Sequence, residues 1–586
     1  MKHKAAWLGG GLAVVAVAAT GVFLNLDTFI DIGAMGVSWV RYLSAPAGTL
    51  ETEVAADAPP LPSLPAPETA RDWASYNKTL TSNRFSSLDE INTSTAPHIK
   101  VLCTFDTGVH TGFTTGLVEV GSRLLFASEY DTFAIDADDC HLVWRMHESY
   151  APATPQGVNR GVAVLDGRVF RGTQDGRVIA YDLENGKRLW EQTIADATKG
   201  ETAPAAPIAW NGMVFIGNAG GDMKGVKGRM YALDAATGKF LWEFYLVPRS
   251  PGDPLRGPEG ASPLDGSTWH TPPGSPITGG ATWTSYTLDP EKQLLYVPGG
   301  NPAPDFAIDV RGPGNLYSGS VVVLDAKTGA YRDHYKLVPR DWHDWDVSSA
   351  PVLIRTAAGR DVMIEAPKDG HLYGFNLADH TRLYRLAVTR VENADMPFSP
   401  GHSVHFCPGS VGGAEWNGPA YDPVTNLIFA GEVEWCTTVR VMPEKKVLQI
   451  KPGQPWSGED SLNPYNVWGK QDPFAHWAGW LYAVDADTGH WRWRAKSNYP
   501  VQSGVTPTKG GVVFFGDMGG NLYALDVGDG RKLWGAAMDG AIAGGVIAYD
   551  AGHGERVAAA TGLTEVLWPT KITTAKVSIL GLGHRD

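Results

Sequence analysis

The chain has 586 residues, with 63 acidic against 49 basic side chains and a formal net charge of −14. That acidity excludes a nucleic-acid binder, whose phosphate partner needs a basic face. The 21 Trp, 20 Tyr, 69 Gly and 40 Pro predict many short strands and turns with bulky rings wedged between layers.

The N-terminus carries Lys2 and Lys4 ahead of an uncharged apolar run from Ala5 to Leu24. A basic flank before such a run is the pattern of a signal peptide or of an uncleaved membrane anchor. Ala16-Val17-Ala18 offers a cleavage site, but the length of the run favours the anchor. Residues 1–43 are therefore read as signal or anchor with a juxtamembrane segment, and both readings place the remainder outside the cytoplasm. Residues 44–70 (APPLPSLPAPETA within them) read as a semi-rigid Pro/Ala-rich spacer. Residues 71–586 then form the folded domain.

A short cassette recurs along that domain. Asp136, Asp182, Asp234, Asp485 and Asp526 are each followed eight positions later by a tryptophan: Trp144, Trp190, Trp242, Trp493 and Trp534. Gly occupies the fourth position after four of the five Asp residues, and Asp325 and the Asn376/Tyr384 pair are degenerate copies. Asp bonding its own backbone and Gly taking a positive φ make a tight hairpin turn. The indole is large enough to wedge between neighbouring sheets and to reach a backbone acceptor. Adjacent copies lie about 40 to 52 residues apart, the length of one four-stranded propeller blade. Two wider gaps contain plainer strand–turn signals, LDPEKQLLYV and YDPVTNLIFAG, and each is expected to hide one more blade. The expected fold is all-β, a propeller of four-stranded antiparallel blades. Four cysteines in an exported chain suggest two disulfides. Of three connectivities the simplest joins sequence neighbours, Cys103–Cys140 and Cys407–Cys436. No Cys-x-x-Cys-His is present, so no covalently attached haem is expected on this chain.

The cassette resembles the tryptophan-docking motif of the quinoprotein alcohol dehydrogenases, periplasmic eight-bladed propellers that use pyrroloquinoline quinone (PQQ) and Ca²⁺. The resemblance extends to VNRGVA at Val158–Ala163, IGNAGGD at Ile216–Asp222, GGATWTS at Gly279–Ser285, GGNPAP at Gly299–Pro304, HDWD at His343–Asp346 and APKDGHLYGF at Ala366–Phe375. It implies Asp222, Asn301 and Asp346 as metal ligands, and Asp346 also as catalytic base. It implies Lys368 beside the quinone carbonyls, Arg160 on a cofactor carboxylate and Trp283 as the ring stacked under PQQ. It further implies a small alcohol substrate and an external c-type cytochrome or quinone as electron acceptor. Residue chemistry agrees: Ca²⁺ takes oxygen ligands, and a carboxylate can remove an alcohol proton.

Several positions depart from the family pattern. Asp222 replaces a Glu ligand, and the adjacent-cysteine pair of many members is replaced by Thr154 and Pro155. Phe113, Pro204 and Gln502 fall where members carry Glu, Thr and Trp. Ser348 stands where lanthanide-using members carry a second Asp, so Ca²⁺ is the expected ion. Asp341 and His343 read as structural or as supports behind the site residues. Glu415, Trp416 and Asn417 fit either a cavity wall or a turn. The rival reading is a cofactor-free propeller acting as an envelope scaffold, which needs the cassettes but not the oxygen-ligand set.

Overall fold

The computed structural model describes residues 47–151, 157–258, 266–461, 466, 468–564 and 567–583. The signal or anchor reading of residues 5–24, and the positions of Thr154 and Pro155, lie outside them. Among the described residues no helix is long and apolar enough to cross a membrane.

Eight antiparallel sheets follow one another as propeller blades, seven of four strands and one of five. Blade 1 comprises Val118–Val120, Arg123–Ala127, Asp131–Asp136 and Leu142–His147, and the next six blades repeat that order along the chain. Blade 8 takes three strands from the C-terminal end (Val546–Tyr549, Arg556–Thr561 and Lys576–Leu582) and its outer strand, Ile99–Asp106, from the N-terminal end. Pairing of Ile99 through Asp106 with Leu582 through Lys576 closes the ring, which leaves few free sheet edges. The fifth strand, Leu50–Val54, pairs with Trp493–Ser497 on the outside of blade 6. Part of the stretch expected to be a spacer is thus docked on the propeller. Its sequence LETEV carries none of the prolines that surround it, so its N–H groups remain available to a ladder.

The cassettes form the third-to-fourth-strand turns. Asp182 Oδ1 accepts the N–H groups of Glu184 and Asn185, and Asp234 Oδ1 those of Ala236 and Thr237. Gly186, Gly238, Gly329, Gly489 and Gly530 all have φ between +70° and +74°. Four of the five tryptophans reach into the following blade: the indole N–H of Trp144, Trp190, Trp242 and Trp493 donates to the carbonyl of Leu183, Ala235, Ala326 and Val527 at 2.8–3.1 Å. The acceptor is always the residue after the next cassette's Asp. The cassette glycine lies against the incoming ring, and a Cβ on Gly329 would come within 2.6 Å of Trp242. In the first copy Cys140 takes the positive φ of +66° in place of Gly.

The core lies between blade faces. Leu125, Ala134 and Trp144 of blade 1 pack with Val169, Ile179 and Tyr181 of blade 2, and the same pattern repeats where blade 8 meets blade 1. Cysteines pair as Cys103–Cys140 and Cys407–Cys436. The first bond ties the ring-closing strand to the cassette turn of blade 1.

One expectation needs correcting. The wide gaps hide no extra blades. LDPEKQLLYV supplies the first two strands of the blade whose cassette begins at Asp325, and YDPVTNLIFAG does the same for Asp485. A cassette marks only the third and fourth strands of its blade, and the extra length goes into long connections. In an up-and-down blade, the second-to-third-strand and the blade-to-blade connections emerge at the end opposite the cassette turns. The long insertions are all of these two kinds, so they cover one end of the ring.

Candidate active site

All six residues assigned to the site lie in those two kinds of connection. Arg160, Trp283 and Asp346 precede the first strands of blades 2, 4 and 5. Asp222, Asn301 and Lys368 follow the second strands of blades 3, 4 and 5. The ring therefore delivers them to one end, where all six line a single cavity of about 280 Å³, close to the lower end of ordinary ligand pockets (about 300–1,000 Å³).

Local sequence sets the wall geometry. The Gly299-Gly300-Asn301 turn needs its second glycine, because a Cβ on Gly300 would sit 2.7 Å from Asp346 Oδ1. That same oxygen accepts the Asn301 N–H at 2.7 Å. Asp346 Oδ2 pairs with Lys368 Nζ at 2.7 Å, and Asp344 Oδ2 lies 3.5 Å from the same ammonium. Burial works against the Lys368 charge, but Asp344, Asp346 and Glu415 outweigh it and hold the ammonium well above its usual range. Lys368 Nζ and the Arg160 guanidinium lie 5.7 and 5.0 Å from the centre of the Trp283 ring. Arg160 also sits 3.9 Å from the Trp416 ring.

Beneath this wall lies an acidic cluster. Carboxylate oxygens of Asp222, Asp305 and Asp344 all fall within 4.8 Å of one another. Burial, reinforced by Asp346, pushes the Asp222 carboxyl up to about 6. Burial, with the neighbouring carboxylates, raises Asp305 and Asp344 well above the usual carboxylate range. Neither Asp305 nor Asp344 was assigned to the site from sequence. Asp344 stands two residues before Asp346 within the HDWD motif. Asp305 stands four residues beyond Asn301, where its carboxylate accepts the Asn301 side-chain N–H at 3.0 Å.

Asp341 accepts the N–H groups of His343 and Trp345 and shapes the turn before Asp346. His343 stacks on Trp345 at 3.9 Å, and burial pushes its imidazole down to about 3. Neither is among the residues that line the cavity. Glu415 and Trp416 line the cavity, whereas Asn417 bonds the Tyr76 hydroxyl and the Gln502 and Ala543 carbonyls. Pro204 lines the cavity, Phe113 packs in the core between blades 8 and 1, and Gln502 is buried.

This arrangement fits a hard cation. Buried carboxylates are stable when paired or bound to metal, the donors are all oxygen, and Asp305 Oδ2 has no hydrogen-bond partner among the described residues. It also fits a planar polyanion, with an aromatic face at Trp283 and cations at Arg160 and Lys368 above it.

A sequence profile of the glucose/ethanol/alcohol dehydrogenase β-propeller domain, a PQQ domain, matches residues 73–398, which hold all six assigned residues. The chain belongs to the PQQ-dependent alcohol dehydrogenase family. A second profile, of the outer membrane protein assembly factor BamB, matches residues 478–572. That stretch carries cassettes and none of the six residues. Among curated proteins, the chain is 28% identical to a lanthanide-dependent methanol dehydrogenase of Methylacidiphilum fumariolicum (strain SolV), over 81% of this chain and 82% of the relative. It is 30% identical to a quinohemoprotein alcohol dehydrogenase of Comamonas testosteroni, over 79% and 68%. The solved structure of the quinohemoprotein alcohol dehydrogenase ADHIIG from Pseudomonas putida superposes with a TM-score of 0.77 at 25% identity, covering 88% of this chain and 81% of that one.

Proposed function

We propose that this chain is a periplasmic PQQ-dependent dehydrogenase that oxidises a small alcohol to its carbonyl product and passes electrons to an external c-type cytochrome or quinone. The observation that carries the reading is the meeting, in one cavity, of a Lys368–Asp346 pair, an oxygen-only acidic cluster and a Trp283 face flanked by Arg160. A scaffold has no use for that combination.

Trp283, Arg160 and Lys368 would hold PQQ, and Asp222 and Asn301, with Asp346 at the edge, would hold the cation. Bound together these groups supply a two-electron acceptor made more electrophilic by a Lewis acid. The protein's own part is proton handling and orientation. Asn301 fixes one oxygen of Asp346 through its N–H, which leaves the second to accept the alcohol proton as a general base. Lys368 keeps a positive charge beside that oxygen and stabilises negative charge developing in the cavity. Trp283 and Trp416 exclude water from one side.

The test is alcohol-dependent dye reduction by the purified chain supplied with PQQ and Ca²⁺, alongside Asp346→Asn. Turnover in the parent and its loss in the variant, with the circular dichroism spectrum unchanged, are expected. Equal rates in the two proteins would refute the role of Asp346, and no turnover with any primary or secondary alcohol would refute the reading.

A further inference from the structure

We propose that residues 453–457, carried by an insertion in blade 6, brace the Asp222 loop inward so that an aspartate reaches the cation seat, and that Lys224 is the positioning residue that locks this brace. This rests on the cofactor reading above.

The acidic cluster is built from three connections, and two of them are tied directly to each other. Arg311 donates to the backbone carbonyls of Asp305 and Asp341. It thereby clamps the loop carrying Asp305 to the loop carrying Asp344 and Asp346. Asp222 comes from blade 3, and a different part of the chain holds its loop.

That part leaves blade 6 between the strands Leu427–Glu434 and Ala478–Asp485. It forms the short helix Glu444–Gln449 and crosses the end of the ring to blade 3. There the Gly453 N–H donates to the Lys224 carbonyl, and the Lys224 N–H to the Gln454 carbonyl, both at 2.9 Å. The Trp456 N–H donates to the carbonyl of Asp222 itself at 2.7 Å. One residue on, the Ser457 carbonyl accepts the N–H of Phe306, the neighbour of Asp305, at 2.8 Å. Consecutive residues of the brace therefore bond the Asp222 loop and the Asp305 loop, and set the spacing between them.

Lys224 fastens the brace from the blade 3 side. It is 7% exposed, and its ammonium donates to the Leu448 and Ile450 carbonyls, both at 2.8 Å. These carbonyls lie at the C-terminal end of the short helix, where a cation is favoured. The same ammonium lies 4.9 Å from the centre of the Trp456 ring, an attractive contact for a desolvated cation. Trp456 is fully buried, and its indole N–H donates to the Val447 carbonyl at 2.8 Å.

Reach explains why this matters. An aspartate carboxylate stands one carbon–carbon bond, roughly 1.5 Å, nearer its backbone than a glutamate carboxylate does. Oxygens bound to one Ca²⁺ lie about 2.3–2.6 Å from it, so two of them are at most about 5 Å apart. Oxygens of Asp222, Asp305 and Asp344 lie within 4.8 Å of one another and meet that limit with the backbone where the brace puts it. If the Asp222 backbone drew back by one bond length, a glutamate would be needed to restore the same reach.

The experiment uses the full chain stripped of metal, with PQQ added, and reads Ca²⁺ affinity by titration calorimetry. The parent, Lys224→Met, Asp222→Glu and the double variant are compared. Methionine keeps the apolar stem and removes the ammonium. Lys224→Met should weaken Ca²⁺ at least tenfold. Adding Asp222→Glu to it should recover most of that loss, whereas Asp222→Glu alone should bring no gain, a coupling expected only if the two positions act on one geometry. If Lys224→Met does not fold, Trp456→Phe, which keeps a ring and drops the bond to Val447, takes its place with the same expectation. Unchanged affinity in the brace variant, or a glutamate with the same effect in parent and variant, would overturn the inference and leave the cofactor reading standing. A parent chain that binds no Ca²⁺ in the presence of PQQ would overturn both.

Discussion

Gly329→Ala isolates the seat on which each blade receives the tryptophan of the blade before it. Gly329 has φ of +70°, a region where an L side chain costs roughly 1–2 kcal/mol. The added Cβ would also lie 2.6 Å from Cδ2 and Cε3 of Trp242. Trp242 is 1% exposed and tethered to the Ala326 carbonyl at 3.0 Å, so it has little freedom to retreat. Forcing a methyl into such a contact costs about 1–3 kcal/mol. The total is about 2–5 kcal/mol. Gly212→Ala is the matched control, because Gly212 has nearly the same φ, +75°, but nothing within 4 Å of its Cβ position. Urea unfolding of the two variants, compared at equal slope, should show Gly329→Ala less stable than Gly212→Ala by about 1–3 kcal/mol. Equal losses would show that the glycine is kept for its φ alone, and the docking account would be wrong.

Other outcomes follow from the same structure. Asp346→Asn should lower turnover by about 100- to 10,000-fold, the usual contribution of a positioned base, with thermal stability unchanged or raised; dye-reduction kinetics beside a melting curve would check it. Glu365 is fully buried with its Oε1 accepting the Ser349 hydroxyl at 2.8 Å, and burial pushes it up to about 8. Its folded-state value is raised, so stability is intact below the unfolded value of about 4.3 and drains away as pH rises through 8. Glu365→Gln should flatten that alkaline loss in urea midpoints taken from pH 5 to 9, and an unchanged slope would count against it. Cys103→Ser with Cys140→Ser opens a bond spanning 37 residues, for which loop entropy predicts a loss of about 4 kcal/mol. Fraying confined to blades 8 and 1 by hydrogen exchange would mark it as a ring-closure staple, and protection unchanged there would contradict that role.

What could be read from sequence was local. The Asp–Gly–Trp cassettes declare themselves because each turn is built within five residues and each ring needs one flat seat. The disulfides were readable because both pairs are neighbours in sequence. Blade counting from cassette spacing failed where connections lengthen, since a gap between Asp234 and Asp325 looks the same whether it holds strands or loops. The six assigned residues came from motifs, and the structure gathers them at one end of the ring. Asp305 and Asp344 had no such signal. Asp305 lies in an irregular connection after a Pro-Ala-Pro run, and its approach to Asp222 and Asp344 spans three segments far apart in sequence. Only the clamp of Arg311 on both loops makes that meeting intelligible.

The central claim is that this cavity holds PQQ against Trp283 between Arg160 and Lys368. The most direct measurement is the amount of PQQ, followed by its absorbance, that stays with the chain through gel filtration after incubation with Ca²⁺. The account predicts one PQQ per chain, weakened in Arg160→Ala by more than tenfold, as expected when a hydrogen bond from a cation to a cofactor carboxylate, worth about 1.5–3 kcal/mol, is removed. A chain that retains no PQQ, or an Arg160→Ala variant that retains it as tightly as the parent, would contradict it.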